Sequence, residues 1–412
     1  MTKPVIVFVG SVYPGQFGGL CDYLRKSGVA ETYFLTTPGH RARNVDRGAH
    51  ILAFQPDGKI VGEQSYYYSA KVERSARIGR GVLNALREFQ SKKKIDIVVS
   101  HSLFGAPHFL YDEIDAAIIS YIEFPSYHAH GWDPAYPPDL AQRMADKNTE
   151  MLNFHQAVRS DLVICPSHHA KQMFPRALQG NIEVQLEGFD FETNSHAARA
   201  KASDAPFTIG FAARDLSSAK GFDTYMGLVS QLIDQKVEAR FIALGGAGVT
   251  TYGYEEQWVK REHNGAIANF CEHLKSVYPQ AGEAVEFAGT LPYEEYTQRI
   301  ADIDLFLYPL KYGVANWGLV EILGRGACVI APDSGYPTEL IIDDVNGCLL
   351  PNEDAAWISA IKALMEDPDR RKRYGAAARI MSIQHHSYAA VTPRYMQLFR
   401  KAMQNRKMRS PS

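Results

Sequence analysis

Short, unbroken apolar runs recur along the chain and constrain its fold more than any other feature. In the first half they are Val5–Val9, Thr32–Leu35, Ile51–Phe54, Ile95–Val99, Ala117–Ser120, Leu162–Cys165 and Ile182–Gln185. In the second half they are Thr208–Phe211, Ala239–Leu244, Val285–Ala288, Leu305–Tyr308 and Cys328–Ala331. They are rich in Val, Ile and Phe and do not alternate with polar residues. A strand reads this way when helices cover both faces of a parallel sheet. Helix-length segments such as Gly221–Gln235 and Tyr293–Ala301 lie between them. The pattern predicts an α/β protein of two doubly wound, Rossmann-like domains facing each other across a cleft. Residues 1–191 form the first domain and 207–385 the second. Glu192–Pro206, polar and rich in small residues, is the linker. Residues 386–412 are read as a closing helix that packs back on the first domain, followed by a disordered basic tail.

Lys and Arg number 44 against 46 Asp and Glu, a formal net charge of −2. A chain so balanced is not built for bulk attraction to nucleic acid, so any anion site is local. The five cysteines, Cys21, Cys165, Cys271, Cys328 and Cys348, contain no C-x-x-C pair. That argues against structural zinc and a disulfide framework and favours a reducing cytoplasm. No stretch approaches the ~18–20 apolar residues that span a bilayer. Val5–Val9 is too short for a signal-peptide core. Membrane contact, if made, is peripheral, at the inner face.

In open α/β sheets ligands bind beyond the carboxyl ends of the strands. After the first strand comes Gly10 and then Ser11–Gly19, with Gly18-Gly19 at a helix start. These glycines either let backbone amides approach an anion or simply make a flexible loop. After Thr208–Phe211 come Arg214 and Lys220, with Gly221 opening the next helix. A guanidinium grips two phosphate oxygens and an ammonium adds a point charge, which suits a diphosphate. The plainer reading is an exposed loop whose charges meet water or Asp215. Further on, Glu321 sits on a short apolar helix starting near Asn316. Its carboxylate needs donors, which ribose hydroxyls supply unless a neighbouring cation does.

The runs AARDLSSAKGFD, EFAGTLPYEEY, ADIDLFLYPL, NWGLVEILGRGACVIAPDSGYPTELI and NGCLL resemble the nucleotide-sugar lobe of family-4 retaining glycosyltransferases of the GT-B fold. In the first half, DIVVSHSLFGAPHFL, ISYIEF, WDPAYPPDL and DLVICPSHHAKQMFP resemble one bacterial branch of that family. The resemblance implies a hexosyl- or pentosyltransferase acting in cell-surface polysaccharide or glycoconjugate synthesis. It implies no cofactor and no metal, a UDP or GDP sugar as donor, and a saccharide or lipid-linked saccharide as acceptor. Gly18, Gly19, Arg214 and Lys220 would hold the diphosphate. Asn316, Trp317, Gly318 and Leu319 would line the donor site, and Glu321, the second Glu of an E-x7-E motif, would bind ribose. The first Glu of that motif falls at Gly313, a departure that leaves backbone amides of Gly313–Asn316 to serve the sugar. Glu123 and His101, at neighbouring strand ends, would contact the sugar or the acceptor hydroxyl. A loop-histidine role for His101 stays open. So do two other functions: a silent sugar-nucleotide or polysaccharide-binding subunit, and a nucleotide-sugar epimerase.

Other signals are read as structural. Asp302-Ile303-Asp304 matches a D-x-D metal pattern but closes a helix and enters a strand. Gly246-Ala247-Gly248 lacks a third glycine. Tyr66-Tyr67-Tyr68 is a core patch as readily as a sugar platform. Lys71–Lys94 is a helix with a solvated basic face rather than a lipid-phosphate contact. His128, His130, His168 and His169 carry no comparable argument.

Overall fold

The structure, a computed structural model, describes residues 3–60, 66–125, 132–191, 205–248 and 253–409. Among the described residues thirteen parallel strands fall into two sheets, each in its own compact unit. The first unit comprises Met1–Ala129, Leu140–Phe189 and His386–Ser412, and the second His130–Asp139 and Asp190–His385. The grouping therefore does not follow chain order. A segment around residues 132–139 packs with the second unit, and the C-terminal helix packs with the first. Most of the expected linker, 192–204, lies outside the described residues.

The first unit holds β1 (Val5–Val9), β2 (Glu31–Thr36), β3 (Ile51–Ala53), β4 (Ile97–His101), β5 (Ala117–Tyr121), β6 (Leu162–Cys165) and β7 (Ile182–Val184). Their order across the sheet is β3-β2-β1-β4-β5-β6-β7. The helices used below are α1 (Gly18–Lys26), α2 (Ala70–Gln90) and α3 (Leu140–Arg159). All five residues of β1 are buried, and they alternate between two cores. Ile6 and Phe8 face Val391, Leu398 and Phe399 of the C-terminal helix, Tyr388–Arg409. Val7 and Val9 share the opposite core with Ile78, Val82 and Leu86 of α2. Cover on both faces is why the run is continuously apolar. The C-terminal helix stays ordered through its basic end. Asn405 donates to the Asp161 carbonyl at 2.7 Å, and Arg409 to the Ser160 carbonyl at 2.7 Å. Of the tail read as disordered, only 410–412 lie outside the described residues.

The second unit holds β8 (Thr208–Asp215), β9 (Arg240–Gly246), β10 (Val285–Gly289), β11 (Leu305–Leu307), β12 (Val329–Pro332) and β13 (Cys348–Leu350), in the order β10-β9-β8-β11-β12-β13. Its helices include α4 (Phe222–Asp234), α5 (Glu255–Glu262), α6 (Tyr293–Ala301), α7 (Trp317–Gly324) and α8 (Pro368–His386). Phe222, Tyr225, Met226 and Val229 of α4 pack on Ile209, Phe211 and Leu305. Two details depart from the sequence reading. β8 runs on to Asp215 instead of stopping at Phe211, so Arg214 belongs to the strand end. β13 was not anticipated, because it is a three-residue edge strand with two half-buried members.

Gly375 lies inside α8, where it is buried. A Cβ there would stand 2.0 Å from the carbonyl oxygen of Gly326. Alanine in a helix interior usually gains about 1 kcal/mol over glycine. Here the backbone collision reverses the sign, and Gly375→Ala should lose about 1–3 kcal/mol. A lower thermal midpoint by circular dichroism checks this, and a higher one would refute the close approach.

Candidate functional site

Each sheet reverses its strand order at one point, and the sequence-predicted residues collect there. In the second unit the reversal lies between β8 and β11, which pair through Ile209 and Leu305. Arg214 is the penultimate residue of β8, its side chain 69% exposed, with Nε 3.8 Å from the Asp215 carboxylate. Lys220, by contrast, is buried, with 7% of its surface exposed. The loop between them is tightly held. Leu216 N–H donates to the Gly246 carbonyl at 3.0 Å, and Ser218 N–H to Glu255 Oε1 at 2.8 Å. Gly221 closes the loop at φ +80°, where a Cβ would lie 1.8 Å from the Pro309 carbonyl oxygen. Only glycine passes there. Sequence reasoning missed Glu255. Burial pushes its carboxyl up to about 7, against two backbone hydrogen bonds that lower it.

After β11 the chain reaches Asn316, whose Oδ1 accepts from Gly318 N–H at 3.0 Å and caps α7. Leu319 is wholly buried in the core, so only its backbone can face a ligand, whereas Trp317 is 39% exposed. Glu321 stands one turn into α7. Tyr293 of α6 donates to Glu321 Oε1 at 3.1 Å, and Arg325 reaches the same phenol oxygen at 3.4 Å. Burial raises the Glu321 carboxyl, while Tyr293 and Arg325 oppose the shift. Gly313 is buried, and a Cβ would come within 3.2 Å of Leu310 Cδ1. A second feature the sequence reading missed is Lys311. Its ammonium bridges Asp133 at 2.8 Å and Asp223 at 2.6 Å. Asp133 belongs to the segment that also sets Tyr136 among Trp258 and Phe270.

In the first unit the order reverses between β1 and β4. His101 ends β4, with 3% of its surface exposed. Its Nδ1 accepts from the backbone amides of Leu103 and Phe104 at 3.2 and 3.3 Å. In the neutral ring that leaves the proton on Nε2, which lies 3.6 Å from Glu123 Oε2 and makes no hydrogen bond among the described residues. The structure therefore brings His101 and Glu123 together. Two polar side chains of α3 hold the loops that carry them. Asn153 donates to the carbonyls of Phe124 and Pro125 at 2.8 and 3.1 Å, and Gln156 to that of Ser102 at 3.1 Å.

Gly18 and Gly19 begin α1, and packing accounts for both. A Cβ on Gly18 would lie 2.5 Å from Pro14 Cβ, and one on Gly19 would lie 1.7 Å from the Tyr388 hydroxyl. Gly18 N–H already donates to the Pro14 carbonyl at 2.7 Å. Asp302 caps α6, and Asp304 accepts from Thr208 N–H at 2.7 Å. Among the described residues Cys21, Asp22 and His50 come together, but Asp22 already takes His50 Nε2 at 2.7 Å and the Tyr13 hydroxyl at 2.9 Å. Much of the basic face of α2 is paired: Arg77 with Glu73, Arg87 with Glu113 and Lys71 with Asp146. His168 and His169 open the short helix capped by Ser167. His128 and His130 lie outside the described residues.

Two adjoining stretches match known families. Residues 29–193 match the glycosyl transferase family 4 group, and residues 194–381 match the glycosyl transferases group 1. Residues 194–381 thus carry the group 1 glycosyl transferase family, and the two glycosyl transferase matches together span residues 29–381. It is 26% identical over 121 residues to alpha-maltose-1-phosphate synthase of Mycolicibacterium smegmatis, covering 27% of this chain and 30% of that one. It is 22% identical over 246 residues to a GDP-mannose-dependent alpha-(1-6)-phosphatidylinositol dimannoside mannosyltransferase of Mycobacterium tuberculosis, 58% of each. The chain thus aligns with less than two thirds of the length of either relative. Sucrose-phosphate synthase of Thermosynechococcus elongatus superposes with a TM-score of 0.73 at 16% identity, over 97% of this chain and 99% of that one. This likeness establishes the GT-B fold of the family.

The buried Glu255 has a pH consequence. Its folded carboxyl titrates near 7, above the ordinary value of 4.5, so the folded state binds the extra proton. Its stabilising contribution is complete below about pH 4.5 and is lost as pH rises through 7. Glu255→Gln keeps an acceptor for Ser218 and removes the titration. Thermal midpoints measured from pH 5 to 8 should fall less in the variant than in the parent.

Proposed function

We propose that the chain is a retaining glycosyltransferase that moves a sugar from a nucleoside diphosphate sugar to a saccharide or lipid-linked saccharide acceptor. The observation that carries this reading is the clustering at the β8/β11 reversal of Arg214, the buried Lys220 and a Glu321 held by Tyr293. Arg214 and Lys220 suit the diphosphate, and Glu321 suits a ribose diol. As the glycosidic bond lengthens, negative charge grows on the departing diphosphate, and these two cations stabilise it in the role a divalent metal fills elsewhere. The acceptor oxygen bonds to the anomeric carbon on the face the phosphate leaves, and the acceptor proton passes to a phosphate oxygen. This same-face course asks for no carboxylate nucleophile.

His101 and Glu123 serve the sugar or the acceptor hydroxyl. His101 donates from Nε2, and Glu123 accepts beside it. Gly18 is assigned to packing, and the diphosphate role rests on the second unit. The relative named for GDP-mannose and a phosphatidylinositol dimannoside favours GDP over UDP and a lipid-linked acceptor. Synthesis of a cell-surface glycoconjugate in the cytoplasm fits that chemistry.

Arg214→Ala and Lys220→Ala should each lower transfer by about 10²–10³-fold, with thermal midpoints little changed for the exposed Arg214. Near-normal transfer by either folded variant would overturn the reading. A thermal-shift screen against UDP, GDP, ADP and dTDP sugars identifies the base, because the bound nucleotide stabilises the fold by mass action. A chain that binds one of them but neither transfers nor hydrolyses the sugar would be a binding subunit.

A further inference from the structure

Helix α3 is inverted in polarity. Gln142, Asp146, Thr149, Asn153 and Gln156 are buried. Their burial is accounted for largely by bonds already described, to Lys71 and to the loop carbonyls beside His101 and Glu123. The opposite side carries Leu140, Met144, Met151 and Val158, exposed to 59%, 40%, 66% and 57%. Their positions fall within about 40° of one line at 100° per residue. Single exposed apolar side chains are ordinary, but four aligned on one helix form a surface that water does not favour. Arg143 and Lys147 are exposed within about 60° of the same line. Asn148 Nδ2 ties α3 to the Tyr68 carbonyl at 2.7 Å, and next to it Tyr66 and Tyr67 are 58% and 59% exposed.

We propose that this outer face of α3 docks on an anionic membrane surface. The apolar line enters the headgroup boundary, and Arg143 and Lys147 meet lipid phosphates. The charge pattern selects this occupant. Exposed cations beside an apolar line complement anionic headgroups over an acyl boundary, whereas a second copy of the chain would offer the same two cations to this face and no added anion for them. No described helix is long and apolar enough to cross a membrane, so the attachment is interfacial. The basic α2, read from the sequence as a solvated face, has several of its cations paired, so α3 offers the contact instead. The inner face of α3 holds the loops of His101 and Glu123, so docking brings those loops to the surface where a lipid-linked acceptor resides. The docking itself does not depend on the proposed transfer reaction.

The test is sedimentation of the full chain with mixed phosphatidylcholine–phosphatidylglycerol vesicles and with pure phosphatidylcholine vesicles. The chain should bind the mixed vesicles and lose binding as salt rises. Met144→Ser with Met151→Ser should lower the partition coefficient by about tenfold. Arg143→Gln with Lys147→Gln should lower it by about thirtyfold, at ~1 kcal/mol per cation. Thermal midpoints should not move, since all four side chains are exposed. Failure of the parent chain to bind mixed vesicles, or undiminished binding by both double variants, overturns the proposal. A dimer in solution that the methionine variant dissociates, without vesicle binding, assigns the face to a second copy and overturns it too. Retained stabilisation by nucleotide sugars in these variants keeps this outcome separate from that of the transfer reaction.

Discussion

A polar group taken out of water must find a partner, and this requirement arranges the carboxyl edges of both sheets. The loops there carry backbone groups that no strand ladder satisfies. Side chains from neighbouring elements reach in to bind them. Glu255 accepts from Ser218 and Asn316 from Gly318, while Asn153 and Gln156 donate to the carbonyls beside Glu123 and His101. The loops are therefore fixed before any ligand arrives. For the diphosphate role proposed for Arg214 and Lys220, such preorganisation is what makes two cations effective.

Position of the site and chemistry of the site have different origins. Its position follows from topology. In each sheet the strand order reverses once, and the loops on either side of the reversal diverge to leave room for a ligand. Its chemistry follows from which side chains the two loops happen to carry. At β8/β11 these are cations and a carboxylate. At β1/β4 the histidine has its Nδ1 occupied by two amides and its Nε2 turned toward an acid. A neutral imidazole held this way is a donor in one fixed direction, useful for a hydroxyl or a carbonyl and of little use to a phosphate.

Most of the fold was legible in the sequence because strands buried on both faces must be apolar throughout. Val5–Val9 and Leu162–Cys165 have the observed bounds for that reason. β13 was not legible, since three residues at an edge carry too little pattern. The position of the candidate site was legible where one loop carries its residues, as with Arg214 and Lys220 at and after the end of β8. It was not where partners come from far along the chain. Gly19 reads as an anion approach or a flexible loop, and the Tyr388 hydroxyl packed where its Cβ would stand is visible only in the structure. Lys311 carries no signal in the sequence, and its role shows only when Asp133 and Asp223 are seen on either side. Glu255 carries no signal in the sequence, and its role shows only when Ser218 is found on its oxygen.

Helix α3 shows why amphipathicity alone does not say which way a helix faces. Its apolar line, Leu140, Met144, Met151 and Val158, would be assigned to the core by periodicity. The competing demand is larger. The loop carbonyls of Ser102, Phe124 and Pro125 would each lose a donor if an apolar face lay over them, at about 1–3 kcal/mol apiece. Leaving four half-exposed apolar side chains in water costs less than that sum, because each keeps part of its cover from its own helix. Satisfying the loops therefore decides the orientation. The exposed line is the consequence, and a surrounding less polar than water is what would reward it.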